Sequence, residues 1–81
     1  MSNLTDAVDQ VMREYFRALE KFGDFKNPHE GYAILLEEVD ELWDEVKKNE
    51  TNRDYEQMEK EAKQVAAMAI KFMVMLKERR S

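Results

Sequence analysis

An all-α fold is predicted by three features of this 81-residue sequence: glycine and proline are scarce, at two and one, no alternating strand pattern appears, and apolar residues recur at three- and four-residue spacing. The expected architecture is one domain, residues 1–81, of three helices. Loops near residues 23–27 and 49–53 are short enough to make neighbouring helices antiparallel.

The first helix should run from about Thr5 to Phe22, because Leu4, Val8, Val11, Met12, Tyr15, Leu19 and Phe22 keep helical spacing. Gly23 then offers a stop. The phrase "NPHE" opens the second: Asn27 can cap, Pro28 suits the first helical position because its missing N–H needs no partner there, and Glu30 can close a capping box. Leu35, Val39, Leu42, Trp43 and Val46 form its apolar face, which fades near "KKNETN". The third helix is expected from Asp54, with Gln57 three residues on, to about Lys77. Between Val65 and Leu76 it is apolar almost all round, more than three helices of one chain can cover. A second subunit is therefore expected.

Length and composition narrow the function classes. A chain this short buries only about 60% of its unfolded surface, which again favours a partner copy. There is no cysteine, so disulfides and thiolate metal sites are excluded and an intracellular, cytoplasmic setting fits. "MSNLTDAVDQ" lacks a basic region followed by an apolar run, and the longest apolar stretch, broken by Lys71, is too short to span a bilayer. A soluble protein without a membrane partner is expected. The net charge of -5 and the pI near 4.9 argue against a nucleic-acid polymer as ligand, since phosphate tracking needs clustered Lys and Arg.

The second helix concentrates charge: six of the nine positions from Glu37 to Glu45 are acidic. Glu38, Glu41 and Glu45 fall within about 60° on the helix, beside its apolar face. Several four-residue pairs there are like-charged, each unfavourable by a few tenths of a kcal/mol, and only Asp44 with Lys48 offsets them locally. One reading is a solvated acidic face. The third helix suggests another, because Glu61 lies between Met68 and Phe72 on the apolar stripe, with Gln57 and Gln64 along one edge. A lone carboxylate there faces a desolvation cost of several kcal/mol unless protonated or paired. If the second and third helices pack face to face, Glu61 approaches Glu38 and Glu41, and a proton or a multivalent cation must hold the group together. Oxygen ligands favour magnesium, or manganese. A salt bridge from Glu61 to a Lys or Arg elsewhere is the alternative.

"EEVDE", Glu37 to Glu41, resembles the EExxE signature of the MazG-like nucleoside triphosphate pyrophosphohydrolases, an all-α superfamily that includes dimeric dUTPases and phosphoribosyl-ATP pyrophosphohydrolases. In that family an ExxE pair is followed on the next helix by ExxD. Glu38 and Glu41 match the first pair and Glu61 the opening residue of the second, while Gln64 stands where the family usually has Asp. The similarity covers "HEGYAILLEEVDELWDEV" and "KEAKQVAAMAIKF". It implies a three-helix antiparallel hairpin or bundle unit of the MazG-like type, completed by homo-oligomerisation as a homodimer or homotetramer.

It further implies a magnesium-dependent hydrolysis of a (deoxy)nucleoside triphosphate to the monophosphate and pyrophosphate, a house-cleaning of nucleotide pools. Glu38, Glu41 and Glu61 would be metal ligands, Gln64 a weak one through its carbonyl oxygen, and Glu37 a further ligand or a base that positions water. Lys60, Lys63 and Lys71 are candidates for phosphate oxygens, and Trp43, Tyr32 and Phe25 for the base; ordinary solvent-facing lysines and core aromatics are the competing readings. His29 suits the surface or the helix start, and Gly31 could admit either a phosphate or a close helix. The alternative function is a MazG-like helical oligomerisation or interaction module that has lost catalysis. The third helix carries four of the six methionines, which suits an adaptable interface as well as a core.

Overall fold

The computed structural model describes residues 2–48 and 50–80. Helix α1 spans Asn3–Phe22, α2 Pro28–Val46 and α3 Tyr55–Arg80, with a single 3-10 turn, Glu50–Asn52, between α2 and α3. No strand occurs among the described residues, and no helix is long and apolar enough to cross a membrane.

Each helix start has a local cause. Ser2 Oγ accepts from Thr5 N–H (3.1 Å), so α1 begins two residues ahead of the expected Thr5. Asn27 Oδ1 accepts from Glu30 N–H (2.8 Å) with Pro28 in the first turn. The reciprocal half of the expected capping box is displaced by one residue: Glu30 Oε1 accepts from Lys26 N–H (3.1 Å), not from the cap itself. Asp54 Oδ1 accepts from Gln57 N–H (3.1 Å) and starts α3. At the end of α1, Gly23 takes φ 73°, where its N–H donates to Leu19 O (2.7 Å), a conformation that disfavours any side chain. Helix α3 continues to Arg80, three residues past the expected Lys77, and its last turn is basic, which suits the negative end of the helix dipole.

Helix α3 is the spine. It packs against α2 on one side and α1 on the other, whereas α1 and α2 make no close backbone approach to each other. The short 23–27 loop, expected to make neighbouring helices antiparallel, carries the buried Phe25, which joins the core with residues of α1 and α3. Gly31 explains the close α2–α3 contact at this level. A Cβ there would lie 2.8 Å from Phe72 Cδ2 and 3.0 Å from Phe25 Cδ2, so the glycine admits a neighbouring helix.

The buried core is small: Tyr15, Ala18, Phe25, Ala67, Met68 and Met75, with Val11, Leu19, Ile34, Leu35, Ile70 and Phe72 among the partly buried residues packed on it. Much of the apolar pattern lies outside it. Leu4, Val8, Met12 and Phe22 on α1, and Val39 and Trp43 on α2, are exposed, although each belongs to an expected apolar face. These stripes are wider than α3 alone can cover, because α1 and α2 each meet a single neighbour. The radius of gyration, 13.9 Å, exceeds the about 12 Å typical of a compact chain of this length.

Candidate metal centre

The acidic stretch and Glu61 meet where the middle of α2 faces the first half of α3. One carboxylate oxygen from each of Glu38, Glu41 and Glu61 lies within 4.8 Å of the others. Their spacing is near what one small cation asks of its ligands, since oxygens about 2.1 Å from magnesium stand no more than about 4.2 Å apart. Without a cation, each pair of charges at this separation repels by about 1–3 kcal/mol across the range of dielectric found near a protein surface.

The environment differs among the three. Glu41 is exposed, while Glu38 and Glu61 are half-buried. Glu61 Oε1 accepts from Gln57 Nε2 (2.9 Å), but its Oε2 is buried with no hydrogen-bond partner among the described residues. Burial raises the pKa of Glu61, and the adjoining Glu41 carboxylate raises it further; Gln57 and Lys60 act the other way. Glu38 is pushed up to about 7, first by burial and then by the charges of Glu41 and Glu61. Glu38 is thus held partly protonated near neutrality and Glu61 is shifted in the same direction, each offering an oxygen to the same small volume.

Two further acids of α2 are paired with lysines. Glu45 pairs with Lys48 (2.9 Å) and Asp44 with Lys47 (3.1 Å), both three residues apart. The expected Asp44–Lys48 pair does not form because the helix ends at Val46, and the turn that follows carries Lys48 to the Glu45 side. Glu37 stands outside the group of three and lines the adjoining cavity.

That cavity, about 490 Å³, lies between α1 and α2 over α3. Glu38 lines it as well as belonging to the carboxylate group, so the two are contiguous. Gln64 also lines it, close enough to Glu14 to help hold that carboxylate charged. Glu14 is only 5% exposed, and Arg17 forks onto it through Nη2 (2.7 Å) and Nε (3.1 Å), the main cause of its lowered pKa. Lys71, 4% exposed, places its ammonium 4.5 Å from the centre of the Phe25 ring. Burial lowers its pKa.

The other candidates separate clearly. Lys60 is exposed beside Glu61, and Lys63 is half-buried toward Glu14. Tyr32 and Trp43 are exposed on α2 and do not line the cavity, whereas Phe25 does. His29 is exposed at the start of α2. Glu14 and Arg17 escaped the reading of the sequence although a signal was present: Glu14 interrupts the Val11, Tyr15, Ala18 stripe with an arginine three residues on.

No protein-family model, curated protein or solved structure matches the chain.

Proposed function

We propose that the chain is a magnesium-dependent nucleoside triphosphate pyrophosphohydrolase of the MazG-like type, cleaving a (d)NTP to the monophosphate and pyrophosphate. The observation that carries this reading is the convergence of one carboxylate oxygen from each of Glu38, Glu41 and Glu61 within 4.8 Å, with Glu61 Oε2 buried and lacking a hydrogen-bond partner among the described residues. A buried acceptor without a donor costs about 1–3 kcal/mol, and three crowded carboxylates add repulsion, so the arrangement suits a bound cation better than an empty surface. The donor set is all oxygen and fits a hard divalent ion, magnesium or manganese.

Glu38, Glu41 and Glu61 would hold the ion. When bound, magnesium offsets the charge of the triphosphate and lowers the pKa of an attacking water. Glu37, exposed and lining the adjoining cavity, would be the base that accepts the proton that water loses as its oxygen joins phosphorus and pyrophosphate departs. Lys60, exposed and close enough to Glu61 to act on its charge, would meet a phosphate oxygen. Gln64 engages Glu14 and contributes to the wall of the cavity.

A second copy of the chain completes the reading, as a homodimer or homotetramer covering the apolar faces that α3 leaves open. Phe16 and Trp43, each 57% exposed, are its natural contacts.

The test is to titrate magnesium into metal-free protein and follow pyrophosphate release across a panel of NTPs and dNTPs. Release that depends on magnesium and is lost in Glu38→Gln with helicity intact is the expected result. Silence across the panel from folded protein favours the second reading, an interaction module without catalysis, which the neutral Gln64 at an expected ligand position also supports.

A further inference from the structure

A buried ammonium with no ion pair or hydrogen bond among the described residues is the feature the proposed chemistry leaves unused; the charges of Asp24 and Glu30 reach it only from farther off. Lys71 is 4% exposed and lines the cavity between α1 and α2, and among the described residues its Nζ has no ion pair or hydrogen bond, only the face of Phe25 at 4.5 Å. Burying an ammonium in this way is costly, and the cation–π contact with Phe25 returns only part of that cost. The amine therefore has unused donor capacity directed at the cavity.

Position decides what could use it. Glu61 and Lys71 are separated by ten residues of α3, roughly 15 Å along the axis at about 1.5 Å per residue. Glu38 lines the metal end of the cavity and Lys71 lies toward the end closed by Phe25. A ligand whose phosphates sit at the carboxylate group thus reaches Lys71 with its opposite end. That end is uncharged for an electrostatic reason. The cavity is also lined by Asp24, Glu30 and Glu37, while its arginine, Arg17, is already forked onto Glu14. A second anion would meet two ammoniums, Lys26 and Lys71, against the four carboxylates of Asp24, Glu30, Glu37 and Glu38. A neutral ring with a carbonyl oxygen meets the donor without that repulsion, and Ala18, Ile34 and Met68 supply apolar walls.

We propose that Lys71 is a specificity-determining residue: its ammonium donates to the carbonyl oxygen of a nucleobase whose edge remote from the sugar carries a keto group, as in uracil, thymine and guanine. Cytosine and adenine present an amino group at that edge, a donor facing a donor, and are disfavoured. This inference rests on the nucleotide reading above for the identity of the ligand. A site built around one buried polar group discriminates strongly against the analogue that leaves it unpaired, so a preference of about tenfold or more is expected.

The experiment uses nucleosides, which carry no phosphate, and metal-free protein. The methyl NMR signals of Met68 and Ala18 are followed while uridine or cytidine is added. Uridine should shift them with an apparent affinity at least about tenfold tighter than cytidine, and Lys71→Met should abolish the difference. Equal responses, or no response to either nucleoside, from wild-type protein overturn the proposal even if the variant does not fold. A difference that survives in a folded Lys71→Met also overturns it. The nucleotide assay of the previous section fails or succeeds separately: a uridine preference without pyrophosphate release retains the pocket and removes the enzyme, and release without a preference does the reverse.

Discussion

Glu61 and Glu38 carry most of the physical argument, and their titration gives it a sign. The Glu38 carboxyl is raised to about 7 by burial and by its acidic neighbours, and Glu61 is raised for similar reasons. A raised acid stabilises the fold fully below its ordinary pKa, and that stability is lost as pH rises through the folded value. In chelator, therefore, unfolding temperature should fall between about pH 5 and pH 8. The loss is on the order of 1–2 kcal/mol after allowance for screening at a half-exposed site, or several degrees for a chain of this size. Thermal unfolding followed by circular dichroism across that range checks this; a flat or rising profile contradicts it. The convergence of Glu38, Glu41 and Glu61 is legible in the sequence because helical periodicity places an acid within an apolar stripe, where it must find company. The burial of Lys71 is not legible, since a lysine on a mixed helix face reads as solvated until Phe25 from the preceding loop covers it.

At the scale of elements, local signals and packing had different fates. The caps at Asn27 and Asp54 and the stop at Gly23 depend on a few neighbouring residues, and all three are readable without knowledge of the fold. Which apolar residues are buried depends on which helices touch. The spacing in α1 and α2 correctly marks amphipathic helices, yet it cannot tell that each meets only α3, so Val8, Val39 and Trp43 lie exposed. Gly31 links the two levels. Alanine there would gain about 1 kcal/mol of helix propensity but drive a methyl to 2.8 Å from Phe72. Overpacking of this kind costs about 1–3 kcal/mol, so Gly31→Ala should destabilise on balance. Urea denaturation checks this; a variant more stable than the wild type would show that α2 and α3 are less tightly apposed than described.

The whole molecule measures 48 × 32 × 20 Å, a flat slab of helices with apolar residues on its faces. Among the described residues six buried apolar side chains form a thin core for a chain of this length, and a second copy laid on the exposed α1 and α2 stripes would enlarge it. Unfolding temperature should then rise with protein concentration, and Phe16→Glu or Trp43→Glu should reduce the sedimenting mass to that of one chain. A wild-type mass equal to one chain at all concentrations would leave those stripes as plain surface. The central claim is that one divalent ion reconciles three crowded acids, and calorimetric titration of magnesium into metal-free protein tests it most directly. Saturable binding in the wild type that is lost in a folded Glu61→Gln is the predicted result. No binding heat in either protein, or equal binding in both, would contradict it.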